Sequence, residues 1–386
     1  MDHGARDHAL LSPSSAKRWI NCTPSAKLAD AVPPKNSIYA DEGTFAHEMA
    51  EYALTQWLKG LWEPILDECI IPAEEKRAES PFMSIELLEN VRKYCEFVID
   101  ANYEMQKTDG ECRVKLESKV DISKYAPESF GSVDASLISD KTIHIIDLKY
   151  GAGVKVSAVY NEQMMLYALG SLKGHPKVEK VIMTIAQVRM DHFDTFEMSV
   201  KELKKWAKDV LTPAAKAAFE GTGAQMVGEW CRFCPVKSTC RAQYEEVLKD
   251  FERSPEPMLL DDNEMAELLT KLDTYRSWIE SVNSFAYSEA MNGKKWPGFK
   301  LVAGRSSRVI RDEETLRQQL LEEYLEDEVL NIKLKGITDL EKLVGKKVFA
   351  ARFGNLIESK AGAPKLVPES HKGEELNPLS DFDIEG

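Results

Sequence analysis

The chain of 386 residues is 43% hydrophobic and 30% charged, enough to bury a substantial core and to form about two to three domains, or one large domain with appendages. No uninterrupted apolar run approaches the ~20 residues that cross a bilayer, and Met1 to Leu11 lack the basic-then-apolar order of a signal peptide, so a cytoplasmic protein without membrane contact is expected. Fifty basic against 64 acidic residues leave a net charge of −14, which excludes indiscriminate polyanion binding and confines any nucleic-acid contact to a local patch.

In chain order, Ser12-Pro13-Ser14-Ser15 has helix-cap chemistry, and residues 12–60 read as mainly helical, with Thr44 to Leu58 following a break at Asp41-Glu42-Gly43. Pro72 to Glu79 is loop-like, and Ile85 to Met105 returns to helical spacing with Leu88, Val91, Cys95, Val98 and Ile99 on one side. Three strands are predicted over Cys112–Val120, Gly131–Ser139 and Thr142–Lys149, forming an antiparallel meander. A helix over Asn161–Leu169 and a strand over Lys180–Arg189 complete a mixed α/β core. Ser199–Phe219 and Asn263–Met291 read as helical, Trp296–Ile310 as short and strand-like, and Glu313–Glu328 and Thr338–Leu343 as helices, with no internal repeat.

Chemistry concentrates at the ends of the predicted strands. Thr142 to Asp147 is apolar enough to be a central strand, where an unpaired charge is costly. Period-two alternation puts Asp147 and Lys149 on one face and Leu148 in the core, while Asp134 closes a turn into the preceding strand. Carboxylates on adjacent strands are the oxygen ligands that a hard divalent cation selects, and phosphodiester hydrolysis by metal-activated water uses such a cation. The Lys149 ammonium is placed to orient a water and to balance phosphate charge. Gln163 and Tyr167, four apart on a helix, share a face and reach back toward the site. His47 sits early on a helix with Glu51 one turn on; it reads as a ligand or as a structural side chain, and Glu117 as a further ligand or as surface.

Gly43-x-x-x-His47, Gly131-x-x-Asp134, Asp147-x-Lys149 and Gln163-x-x-x-Tyr167 resemble, in this order, the PD-(D/E)XK nucleases of the RecB-like exonuclease branch. The likeness covers about half the chain, and the second acidic position is Asp, which the family pattern permits. Leu11-Ser12-Pro13-Ser14-Ser15-Ala16 and Ile146-Asp147-Leu148-Lys149-Tyr150-Gly151 look like an uncharacterised phage and prophage group. The resemblance implies a restriction-endonuclease-like mixed sheet flanked by helices. It implies Mg²⁺ or Mn²⁺ held by His47, Asp134 and Asp147, Lys149 as catalytic lysine, and Gln163 and Tyr167 against the DNA strand. End-dependent cleavage in phage DNA replication or recombination follows, with DNA ends and replication or recombination proteins as partners. The alternative is a non-catalytic DNA-binding or assembly protein that keeps the nuclease fold.

Seven cysteines in a reducing compartment read as free thiols or metal ligands. Cys231-x-x-Cys234 and Cys240 supply three thiolates, and a closed site usually needs four. Cys22 resembles the distant first ligand of iron–sulfur RecB-like nucleases, which implies a [4Fe-4S] cluster on Cys22, Cys231, Cys234 and Cys240; Zn²⁺ is the rival, and a zinc interaction module the third functional reading. Cys69, Cys95 and Cys112 read as buried thiols outside this set. Arg305, Arg308 and Arg311 form either a small basic patch or a solvated loop. The expected organisation is a nuclease core over 1–250 with N-terminal helices and the cysteine cluster, a helical arm over 251–295, a small α+β region over 296–360 and a mobile acidic tail over 361–386.

Overall fold

Thr142–Leu148 (β3) is buried along its whole length, as its unbroken apolar run requires of a central strand. In the computed structural model, which describes residues 9–33, 38–60, 80–251, 261–300, 313–321, 330 and 335–357, it sits in the middle of a five-stranded sheet of order β1-β2-β3-β4-β5. The partners are β1 (Arg113–Asp121), β2 (Phe130–Ile138), β4 (Lys180–Gln187) and β5 (His192–Ser199). β1, β2 and β3 form the expected antiparallel meander. β3 and β4 run parallel, and α5 (Glu162–Ser171) supplies the crossover that parallel pairing needs. β5 pairs antiparallel with β4; it is absent from the sequence reading, which passes from β4 straight to a helix.

The sheet carries a hydrophobic core on each side. One packs Ile143, Ile145 and Met183 against α5 and against Trp19 of α1 (Ala16–Asn21). It also includes Leu203 of α6 (Val200–Trp206) and Ala215 of α7 (Thr212–Glu220). The other packs Ile146 and Leu148 against α3 (Ile38–Leu58) and α4 (Ile85–Asp109), with Leu148 inward as alternation requires. α3 runs without interruption through Asp41-Glu42-Gly43, which corrects the expected break. One helical glycine costs about 1 kcal/mol relative to Ala, too little to stop a helix anchored by Phe45, Met49 and Leu54 in the core.

The N-terminal segment is pinned to this sheet: Trp19 Nε1 donates to the Ser12 carbonyl at 3.0 Å, and Ser129 Oγ to the Leu11 carbonyl at 2.7 Å. α5 approaches β1 closely at Gly170, where a Cβ would lie 2.7 Å from Val120 Cβ and 3.2 Å from Ile122 Cγ1. Helix propensity favours Ala at such a site by about 1 kcal/mol, whereas overpacking costs about 1–3 kcal/mol. Val120 Cβ is fixed to strand backbone and cannot swing away. Gly170→Ala is therefore expected to lower the urea midpoint at an unchanged m-value.

A buried histidine on β3 makes stability depend on pH. His144 Nε2 lies 2.8 Å from Thr184 Oγ1, and burial followed by the Lys180 charge lowers its pKa from 6.5 to about 3. Above pH 6.5 the ring is neutral in both folded and unfolded chains; from there down to about pH 3 only the unfolded chain takes the proton. Stability should fall through that window by up to about 1.4 kcal/mol per pH unit. Comparing urea midpoints at pH 7 and pH 5 for wild type and His144→Gln should show a smaller drop in the variant.

The chain forms two units, Met1–Leu260 with Asp273–Phe285, and Asp261–Leu272 with Ala286–Gly386. The sheet and all the elements above belong to the first, as does α8 (Arg241–Phe251). A long helix, α9 (Asp262–Met291), begins with a capping box between Asp261 and Glu264 and contributes to both units. The second unit holds α10 (Glu313–Leu321) and the helices Ile337–Val344 and Lys346–Phe353. Trp296–Lys300 is not a strand. The remainder of that expected strand, Cys69, the Pro72–Glu79 loop, the three arginines 305, 308 and 311 and the acidic tail lie outside the described residues. Among the described residues no helix is long and apolar enough to cross a membrane.

Candidate functional site

The β2–β3 ladder ends at the pair Ala135↔Ile146, while β3 stays paired with β4 through Leu148↔Ala186. The next residues on the parting strands are Asp134 and Asp147. Asp134 lies in the middle of β2 rather than at its entry, and its Oδ2 accepts from the Leu148 amide at 2.6 Å. A side chain thus satisfies a backbone donor where the ladder has ended, and the same bond fixes the carboxylate.

β2 and β1 both break alternation here. Val133 packs on the α5 side but Ala135 and Leu137 on the α3/α4 side, although a regular strand would put all three on one face. In β1, Val114 and Leu116 pack on the α3/α4 side and Val120 on the α5 side. Between them Glu117 adopts φ 39°, a sparsely populated conformation for a residue with a Cβ, and such strain concentrates at functional sites. The register pairs Leu116 with Ala135 and Ser118 with Val133, which sets Glu117 across from Asp134.

α3 brings His47 over these carboxylates. Its Nδ1 lies 3.4 Å from Asp134 Oδ1 and 3.8 Å from Glu117 Oε1, and ligand atoms of His47, Glu117 and Asp134 all lie within 4.8 Å of one another. Burial opposes a charged imidazole, yet Asp134 and Glu117 outweigh it and raise the His47 pKa to about 10. One nitrogen with two carboxylates suits Mg²⁺ or Mn²⁺, and a cation would take the place of the imidazolium proton. Glu51 is exposed and outside this group. Four residues advance a helix by about 6 Å, so Glu51 does not share the ligand position expected for it.

Asp147 is buried at the end of β3, with its Oδ2 2.9 Å from Lys149 Nζ. That contact is an ion pair, and Oδ2 has no hydrogen-bond partner of good geometry among the described residues. Burial pushes the Asp147 carboxyl up and the neighbouring Asp134 adds to this, while Lys149 offsets part of it. Burial lowers the Lys149 pKa, but Asp147 more than compensates and the net shift is upward. Gln163 Nε2 donates to Asp147 Oδ1 at 3.0 Å and to the Tyr167 hydroxyl at 3.4 Å, while Gln163 Oε1 accepts from Lys149 Nζ at 3.4 Å. Tyr167 in turn packs on β2 at Gly131, where a Cβ would lie 2.9 Å from its ring and 3.1 Å from Pro13.

The structure brings together His47, Glu117, Asp134, Asp147, Lys149, Gln163 and Tyr167. Sequence reasoning missed Tyr94, whose buried hydroxyl donates to the Ile146 carbonyl at 3.3 Å. Burial, then the Asp134 charge, raises its pKa well above 10.0. On α4 it falls within the apolar stripe and carries no signal that distinguishes it from core.

Cys22, Cys231, Cys234 and Cys240 line one cavity and are free thiols. Thr23 Oγ1 donates to the Thr222 carbonyl at 2.6 Å and the Met226 amide to Cys22 Sγ at 3.5 Å, which joins the corner between α1 and α2 (Ser25–Asp30) to the segment after α7. Burial raises the pKa of Cys231 and Cys234. Cys95 is buried and Cys112 half-buried, both apart from the cavity.

A solved structure described as "Crystal structure of SSO0001" aligns with 59% of this chain and 96% of that one, at 11% identity and a TM-score of 0.24, too low to support any inference. The model of a family described as "Protein of unknown function (DUF2800)" matches residues 8–374, nearly the whole chain, and the protein belongs to that family.

Proposed function

We propose that the protein is a metal-dependent DNA nuclease, an exonuclease or end-processing enzyme of phage or prophage DNA replication or recombination. The observation that carries this reading is the convergence of His47, Glu117 and Asp134, from three separate elements, beside the Asp147–Lys149 ion pair. A divalent cation bound there would polarise a phosphate oxygen and lower the pKa of water. His47, Glu117 and Asp134 would hold it, and Asp147 Oδ2, ion-paired with Lys149 and without a hydrogen bond among the described residues, is a fourth candidate donor.

Lys149 stays protonated at neutral pH, so it acts as a fixed cation that orients a water and balances charge growing on phosphate, not as a general base. Gln163 holds both members of the ion pair, and Tyr167 holds Gln163. We assign both to positioning the site, with contact to the DNA strand made from the same face of α5. For the cysteines, we keep the [4Fe-4S] reading on the likeness to iron–sulfur RecB-like nucleases; four thiolates suit zinc as well.

The test is incubation of anaerobically purified protein with end-labelled linear DNA, single- and double-stranded, and with closed circles, each with Mg²⁺ or Mn²⁺ and with EDTA. Loss of label from linear DNA alone, abolished by EDTA, is the expected result. Binding without cleavage of any DNA would favour the scaffold reading, and cutting of circles would remove the end dependence.

A further inference from the structure

The cysteine cavity contains two residues that its sulfur ligands do not explain. Ser25, at the start of α2 (Ser25–Asp30), lines it. Ser25 is 2% exposed and its Oγ has no hydrogen-bond partner among the described residues. A buried hydroxyl left unpaired costs about 1–3 kcal/mol, so its position against four sulfurs points to an acceptor that belongs in the cavity. Arg18 lines the same cavity from α1, and its Nη1 donates to the Ser25 carbonyl at 2.7 Å, wrapping around Cys22 between them.

The charges lining the cavity are one-sided. Among the described residues that line it, the cations are Arg18 and Lys237 and none is a carboxylate. Lys237 Nζ is committed to the Arg232 carbonyl and Ser277 Oγ. Burial disfavours the Arg18 cation, and the groups that favour it are Cys234 and Cys22. A guanidinium cannot discharge as a lysine can, so a half-buried one needs negative charge nearby, which metal-bound thiolates would supply.

We propose that Ser25 and Arg18 set the reduction potential of the sulfur-ligated centre, Ser25 through an O–H···S hydrogen bond and Arg18 through its charge. This rests on the proposal that the four cysteines hold an iron–sulfur cluster. Hydrogen bonds to sulfur and the net charge around a cluster are the levers by which a protein moves such a potential. Both favour the reduced form, which carries one more negative charge. Each residue positions or compensates the ligands and takes no part in DNA cleavage.

The experiment uses full-length protein purified without oxygen: wild type, Ser25→Ala, Ser25→Thr, Arg18→Gln and Arg18→Lys. Iron and acid-labile sulfide are measured first, then the visible spectrum, then the midpoint potential by redox titration. Arg18→Gln should shift the reduction equilibrium about tenfold toward the oxidised form, 59 mV for one electron. Ser25→Ala should shift it several-fold in the same direction, and the Thr and Lys variants should restore most of each shift. Loaded variants with wild-type potentials would overturn the proposal. Wild-type protein without iron and sulfide would overturn the cluster reading on which it rests.

Discussion

Lys149→Ala is expected to slow DNA degradation by about 10²–10³-fold, the usual loss when one preorganised electrostatic contact to a transition state is removed. The lysine lies 2.9 Å from Asp147 and its charge is reinforced by that carboxylate. Its removal strips positive charge from the substrate side and leaves Asp147 buried without its counter-ion. Breaking a fully buried pair costs about 3–5 kcal/mol, but Lys149 is 33% exposed, so solvent screening reduces the penalty, and Asp147 can take up a proton. The variant should therefore fold, by circular dichroism and urea midpoint, and bind manganese while losing rate. Lys149→Arg is not conservative: a planar fork cannot replace a compact ammonium between Asp147 and Gln163. Single-turnover rates with end-labelled DNA measure the effect; a rate equal to wild type would remove Lys149 from the mechanism.

Asp134 carries two loads that different substitutions separate. Its Oδ2 takes the Leu148 amide and its Oδ1 faces His47. Asp134→Asn keeps an oxygen for the amide but loses the charge, so stability should hold while cation affinity falls at least as far as the 10–100-fold typical of losing a mere partner of a ligand. Asp134→Ala also leaves the Leu148 amide unpaired, which costs about 1–3 kcal/mol. Manganese titration followed by electron paramagnetic resonance, alongside urea unfolding, distinguishes the two. Equal manganese affinity in wild type and Asp134→Asn would displace the cation from this position.

Much of this arrangement is legible in the sequence because it is local. The Thr142–Asp147 run announces a buried strand ending in charge, and the four-residue spacing of Gln163 and Tyr167 places both on one face of α5. What escaped depends on contacts distant in sequence. β5 is a half-exposed edge strand, so its apolar residues do not alternate cleanly. Glu117 could be read only as a further ligand or as surface, because its place opposite Asp134 depends on its φ of 39° and on its register, and neither is written in residue type. Glu51 looked equivalent to Glu117 because helical periodicity fixes a face but not which turn meets the sheet. Ser25 and Arg18 carry no motif; only the fold sets them beside Cys231, more than two hundred residues along the chain.

Crystals grown with manganese and a short DNA end bearing a non-hydrolysable phosphate analogue, read by anomalous diffraction, test the proposed centre most directly. The expected result is a manganese peak among His47, Glu117 and Asp134, within reach of Asp147, with a phosphate on the side of Lys149. Manganese on other carboxylates, or DNA seated away from the parting of β2 and β3, would contradict it.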